Sequence, residues 1–357
     1  MKTIDYSTKP ALIQDYLDAG EEIIVSGSAT YLLDKPLRVT KQSIIRANSN
    51  TWFNGQNKTR VFDVLAGARL ELHSGAIRSG RITGAGSGLH GVAGSAFGAG
   101  LYNAGNTLLD GTRVDFCVAE AGKLESDSSA NGLAQGGAIY NAGELALQHV
   151  TFDSCVVKGS DPINGLAHSG GPASGGAIYN AGRLVAHFIK ATNCQAFGGN
   201  RASKTKTPFN HGPASGGFVH SVGGLFVLND SELLSCLAQS SGILAKGGAI
   251  FNDSEGQIFT VKFGSNACFG VKLAGFGQTE LYGAAVYLAG QGRQLDGCSF
   301  SANTFRGHPD GHGNAVCADT SFSDQDNEYG SGQVNEILDG SKTLEPAKTD
   351  ETTNPPA

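Results

Sequence analysis

The chain has 357 residues, with 52 glycines, 40% hydrophobic residues and a formal net charge of −6 from 26 basic and 32 acidic side chains. That length supports a sizeable core, as two domains or one long repeat array, and the lack of a Gly-X-Y period alongside this apolar content excludes collagen and wholesale disorder. The charge balance offers no broad field for nucleic acid or an anionic membrane, so no nucleic-acid partner is expected, and no run reaches the ~20 apolar residues of a membrane helix.

The first stretch, "MKTIDYSTKPALIQDYLDAG", lacks the apolar segment of a signal peptide, which leaves a cytoplasmic setting open. Residues 1–20 are expected to form an N-terminal cap. Within them "ALIQDYLDAG" (11–20) predicts a short helix with Leu12, Ile13, Tyr16 and Leu17 on one side, stopping at Gly20.

From 21 to 330 the chain reads as a repeat array. The octapeptide "GGAIYNAG" stands at 136–143 and again, unchanged, at 175–182, 39 residues on. Related copies are "GAGLYNAG" (98–105), "GGFVHSVG" (216–223), "GGAIFNDS" (247–254), "GAAVYLAG" (283–290) and "GNAVCADT" (313–320). Each of the central copies precedes an alternating run such as "ELALQHVTF" (144–152), and period two argues for strands. Counted from Gly105, Gly143, Gly182, Gly224 and Gly256, residues Cys117, Cys155, Cys194, Cys236 and Cys268 all fall twelve places on. In that frame positions two and four, from Thr107 and Leu109 to Ile258 and Thr260, are expected to face inward.

Three short strands per turn, stacked on their copies in the next turn, satisfy these spacings: an all-β, single-stranded right-handed parallel β-helix with long loops on one edge. Ile139, Ile178, Val219, Ile250, Val286 and Val316 would form an apolar ladder, and Asn103, Asn141, Asn180 and Asn252 a hydrogen-bonded polar ladder at a corner.

The motifs Gly-Gly-Ala-Ile at 136–139, 175–178 and 247–250, with "FGSN" at 263–266 and "FSAN" at 300–303, resemble the repeats of polymorphic outer membrane proteins. The wider set of right-handed β-helix repeat proteins, with a pectin-lyase-like fold, shares them. Other rungs depart, as in "FDSC" at 152–155, where Cys occupies or neighbours the Asn slot. The resemblance spans roughly 20–325 and implies a cell-surface or secreted setting. It leaves function open, because surface adhesins, phage fibres and polysaccharide-active enzymes all use such folds.

Seven cysteines without a CxxC pair favour a stack of buried, reduced thiols over disulfides or a metal centre. No cofactor is expected. "SDQDNEYG" (323–330) leaves room for calcium, although it lacks EF-hand spacing and reads better as a turn. The final 331–357, ending "SKTLEPAKTDETTNPPA", reads as a C-terminal cap remnant and a disordered tail.

All length variation falls between the Cys position and the next Gly-Gly, so the insertions emerge on one edge as a wall of loops. In it, "GHPDGHG" (307–313) alternates His308, Asp310 and His312, candidate metal ligands or a His–Asp proton-transfer pair. His168 and His211 lie in earlier loops as further catalytic candidates, and His90 lies in another such loop. The loop acids Glu120, Glu125, Asp127, Asp161, Glu280 and Asp310 and the bases Lys158, Arg201 and Lys246 are scattered.

The column Tyr102, Tyr140, Tyr179, His220, Phe251 and Tyr287 alternates with the apolar ladder. If it faces outward, Tyr102, Tyr140, Tyr179, Phe251 and Tyr287 offer rings for stacking on sugars or packing on a partner; if it is covered by the loops, they do not. Period alone leaves both assignments open. Two functions follow: a non-catalytic, adhesin-like module binding a polysaccharide, a cell-surface glycan or a protein, and a polysaccharide lyase or glycoside hydrolase with a loop-walled groove. The first is the expectation; the oligomeric state stays open.

Overall fold

A computed structural model describes residues 1–86, 93–123, 132–161, 170–199, 212–240, 244–270, 280–289, 293–306, 311–319 and 322–338. Apart from one helix, its regular elements are short strands, and every pairing between them is parallel. Among the described residues they form four sheets of 19, 10, 7 and 6 strands, designated A, B, C and D.

One turn of chain shows the plan. Ala134–Gln135 lies in sheet D, Ile139–Asn141 and Glu144–Gln148 in sheet A, Thr151–Asp153 in sheet B and Val156–Lys158 in sheet C. The next turn repeats each segment in register, pairing Ala134 with Ala173, Ile139 with Ile178, Leu145 with Leu184, Phe152 with Ala191 and Val157 with Ala196. This stacking is consistent with a parallel β-helix. Five segments make the turn where sequence spacing predicts three. The extra corners sit at non-glycine residues in the left-handed region, such as His149 (φ 53°) and Ser154 (φ 53°), which no composition signal marks.

The core is built from inward ladders. Ile139, Ile178, Val219, Ile250, Val286 and Val316 pair successively and are all buried. The expected polar ladder is buried beside it: Asn103 Nδ2 donates to Asn141 Oδ1 at 2.7 Å, and Asn141 Nδ2 donates to Asn180 Oδ1 at 2.7 Å. Asn180 passes the chain to the Ser221 hydroxyl at 2.9 Å, and Ser221 and Ser254 lie 2.7 Å apart next to Asn252.

Two glycines explain the repeated Gly-Gly. The first, as at Gly136 (φ 66°) and Gly175 (φ 71°), adopts the left-handed conformation that turns the chain from sheet D into sheet A. The second sits where backbone meets backbone. A Cβ on Gly176 would lie 1.9 Å from the Gly217 carbonyl oxygen and 2.6 Å from the Gln195 nitrogen.

Counting from glycine fails once. Phe226 pairs with Gly256, not Ile258, and Leu228 pairs with Ile258, so Ser254 takes the corner glycine's place and the frame starts two residues earlier than Gly256 suggests. Thr260 is accordingly an exposed left-handed corner (φ 54°), not an inward residue. Cys268 leaves the thiol column and pairs with Ala238, while Asn266 aligns with Cys236. The column therefore runs Cys117, Cys155, Cys194, Cys236, Asn266, Asn303, which identifies Cys with the Asn slot of Phe-x-x-Asn. Asn266 Oδ1 accepts from the Cys236 backbone N–H at 2.9 Å.

All seven cysteines are buried and unpaired. Burial pushes the Cys155 and Cys194 thiols well above the usual range, and at Cys117 the hydrogen bond with the Cys155 thiol, followed by burial, does the same. These three thiols are thus protonated and inert at neutral pH.

The helix spans Pro10–Ala19 and ends at Gly20 (φ 73°), whose N–H donates to the Leu17 carbonyl. Ile13 and Leu17 are buried in the core, whereas Leu12 is 41% exposed, contrary to the expected four-residue face. Gln14 and Arg38 tie the helix to strand Leu37–Val39 through two 2.8 Å hydrogen bonds. Among the described residues no helix is long and apolar enough to cross a membrane.

Candidate binding groove and loop edge

The aromatic column points away from the core on sheet A, between the buried columns of Ile139 and Asn141. Its rings stack on one another: Tyr102 on Tyr140 at 5.2 Å, Tyr140 on Tyr179 at 5.4 Å, Tyr179 on His220 at 5.2 Å, His220 on Phe251 at 4.3 Å and Phe251 on Tyr287 at 5.5 Å, all within 16° of parallel. The faces expected to receive sugars are therefore occupied by neighbouring rings, leaving edges and tips. Tyr287 is fully buried; the others are half-buried.

Sheet D supplies the opposing wall. Its buried alanines, Ala96, Ala134, Ala173, Ala214 and Ala245, alternate with outward Phe97, Gln135, Ser174, Ser215 and Lys246. These outward residues touch the outward aromatic column. Phe97 packs on Tyr140 at 5.1 Å, Ser215 Oγ lies 2.6 Å from His220 Nδ1, and Lys246 Nζ donates to Tyr287 Oη at 2.9 Å. Contact between the outer faces of consecutive sheets makes the corner concave, so an axial groove runs between A and D. The Ala-x-Gly pattern before each turn was the sequence signal for this wall, but a strand of two residues is too short to show a period.

His220 is held neutral. Burial, with a ring against each face, pulls its pKa down to about 3. A depressed histidine pKa gives stability that is complete above the unfolded pKa, near 6.5, and lost as pH falls toward the folded one, at up to about 1.4 kcal/mol per pH unit. Replacing His220→Phe is expected to keep the stack and flatten this acid slope; denaturant titrations of both proteins between about pH 4 and 7 check it.

Each end of the groove carries a cation held by its neighbours. Arg60 binds Asp63 at 2.5 Å, donates to the Phe97 and Gly98 carbonyls at 2.7 Å each and lies 5.1 Å over Tyr102. At the other end Lys246 sits 4.2 Å over Tyr287 and 5.1 Å over Tyr282, and the Tyr287 hydroxyl donates to Asp319.

The loop edge lies next to sheet D. The insertions leave after sheet C strands such as Val156–Lys158 and Gln195–Phe197 and return before sheet D strands such as Ala173–Ser174 and Ala214–Ser215. Outgoing and returning backbones meet directly at their bases. Gly94 N–H donates to the Ala85 carbonyl at 2.7 Å, Gly171 to Ser160 at 2.9 Å and Gly212 to Gly199 at 3.1 Å. Glycine recurs at the necks because backbones meet there: a Cβ on Gly159 would lie 1.9 Å from the Gly171 oxygen. Three of the insertions thus close at the neck.

Of the histidine and acid candidates, His308, Asp310, His168, His211, His90, Glu125, Asp127 and Arg201 lie outside the described residues. His312 stacks on Tyr282 at 5.1 Å and pairs with Glu336 at 2.8 Å. Glu120 is paired with Arg81 at 2.5 Å. In 323–330 the Asp324 carboxylate accepts from Asn327, Tyr329 and Asn335. Among the described residues no three His, Cys, Asp or Glu side chains converge as a metal site.

Sequence reasoning missed two polar groupings on outer faces. Asp115, buried on sheet B beside Asp153, has its carboxyl pushed up by burial against the opposing pull of Arg113 and Arg78. On sheet A, His73 lies 3.4 Å from both Glu71 and Asp110, with His149 at 3.7 Å from Asp110.

No family model matches the chain, and no curated protein matches it. A solved structure of PfbA, a surface adhesin of Streptococcus pneumoniae, aligns over 94% of this chain and 90% of that one at 11% identity and a TM-score of 0.30. A likeness at that level carries no argument about this chain.

Proposed function

We propose that the chain is a non-catalytic binding module, wound as a right-handed parallel β-helix like the repeats its motifs resemble, which engages its ligand along the A–D groove and the adjoining loop edge. The right-handed sense is the one that twisted strands favour in parallel crossovers. The observation that carries the binding reading is the closed neck. A segment whose ends already hydrogen-bond adds nothing to closing the turn, and segments of different length leave from one edge, beside a groove of aromatic tips and hydroxyls. The motif resemblance adds a cell-surface setting to this reading, and binding requires no cofactor.

The test shortens one loop. Because Gly212 N–H already bonds the Gly199 carbonyl, replacing 200–211 by two residues makes a hydrogen-bonded β-turn. Stability is expected to hold or rise by about 1–2 kcal/mol from the smaller closure entropy. Binding on a panel of glycans and surface proteins is expected to weaken. Unchanged binding by the folded variant would remove that loop from the recognition surface.

A carbohydrate-active enzyme is the second reading, favoured by the Asp115 and Asp153 carboxylates on neighbouring strands, one of them shifted toward the protonated form. Product release from the same glycans, lost in a folded Asp115→Asn variant, would replace the first reading with this one.

A further inference from the structure

We infer that the groove between sheets A and D takes an uncharged polysaccharide strand laid parallel to the stacking axis, an inference that rests on the binding reading above. The lining supplies hydrogen-bonding groups without formal charge: the hydroxyls of Tyr102 and Tyr140, the Tyr179 hydroxyl already bonded to Gln135, and Ser215 bonded to the neutral His220 imidazole. The charges at its ends are committed, Arg60 to Asp63 and two carbonyls, Lys246 to two tyrosine rings and a phenol oxygen. A polyanion entering this half-buried slot would lose water without gaining a counter-charge. A neutral, hydroxyl-rich chain exchanges its hydration for equivalent hydrogen bonds.

Spacing selects the strand's class. Successive rings stand 5.2, 5.4 and 5.2 Å apart from Tyr102 to His220. An extended β-linked pyranose chain advances by nearly one such step per sugar, so three successive units each meet one tyrosine hydroxyl, those of Tyr102, Tyr140 and Tyr179. An extended peptide rises only ~3.3 Å per residue and falls out of step. Occupied ring faces also fix how contact is made: edges and hydroxyls engage the ligand, in contrast to the open platform on which sugars stack face to face.

The experiment is calorimetric titration of the full chain with neutral β-linked oligosaccharides (cello-, xylo- and N-acetylchito-oligomers) and with acidic ones (oligogalacturonate, hyaluronan fragments). It is run on wild type, a Tyr140→Phe, Tyr179→Phe double variant that keeps the rings, and the loop-shortened variant. A neutral oligomer is expected to bind, with affinity nearly constant between about 0.05 and 0.5 M salt. The double variant is expected to weaken it roughly tenfold or more through two lost hydrogen bonds.

Preference for acidic oligomers with steep salt dependence would overturn the ligand class while leaving the module a binder. Neutral binding that survives the double variant but fails on loop shortening would overturn the groove and leave the loop edge. Binding of no oligosaccharide, or of an extended peptide in their place, would also overturn the inference. Cleavage of a neutral oligomer would instead overturn the non-catalytic reading on which it rests.

Discussion

Gly176→Ala is expected to unfold the central turns of this protein. The added methyl would lie 1.9 Å from the Gly217 oxygen and within 2.7 Å of two Gln195 backbone atoms, and neither neighbour is a side chain that can swing away. Relief requires the Gly-Gly turn to part from sheet C in the same rung and from the turn above. That disrupts in-register pairing on both sides, and a loss above about 4 kcal/mol is expected, in the range reserved for severe core defects. The companion substitution Ala284→Gly addresses the corresponding position of a later turn, where alanine already stands and only a buried methyl is removed. It is expected to cost about 1 kcal/mol. Urea titrations followed by circular dichroism compare the two; similar midpoints would show that the glycine column is not a backbone contact.

Removing Asn141 is expected to be the next largest effect. Its side chain accepts from Asn103 and donates to Asn180, to the Arg183 carbonyl at 3.1 Å and to the Gly143 carbonyl at 3.3 Å, all in a buried ladder. Asn141→Leu leaves several of these groups without partners in a low-dielectric interior, at about 3–5 kcal/mol in total. Asn141→Asp separates polarity from hydrogen bonding. An ionised Asp can accept from Asn103 but cannot donate to Asn180, and burial raises its pKa. The stability of that variant is therefore expected to increase as pH falls and the carboxyl regains a proton, the opposite sign to the His220 slope of the wild type. A pH-independent loss would show that the ladder contributes packing and not directed bonds.

These effects are unequal because the stacked turns are held at two kinds of place. Ladders such as Ile139–Ile178 contribute burial that one shortened side chain reduces only locally. The Gly-Gly turn and the Asn corner are positions where every turn contacts the next through backbone or directed hydrogen bonds, so one misfit spreads to both neighbours.

Much of the fold was legible before any coordinates. The 39-residue repetition and the alternation after each Gly-Gly set the parallel stack, its inward Ile and Val column and its Asn ladder, because a repeat placed in register must bring like residues together. The loop edge was readable from where length varies. The departure at Cys268 was not, since Gly256 looks like the corner glycine, and only pairing shows that Ser254 fills that corner with its hydroxyl.

The candidate site divides the same way. The repeat placed Tyr102, Tyr140, Tyr179, His220, Phe251 and Tyr287 in one column, and alternation put that column on the face opposite Ile139 and its copies. It could not say that the rings cover one another, that Tyr287 is buried, or that Ser215 and Lys246 face them from sheet D. Period two is the same for a face turned to solvent and one turned to another sheet. What separates them is the left-handed turn at Gly136 and its copies, which folds sheet D against sheet A. The repeat determined which residues align along the axis; the angle between the sheets, a property of tertiary structure, decided which of those aligned columns meet.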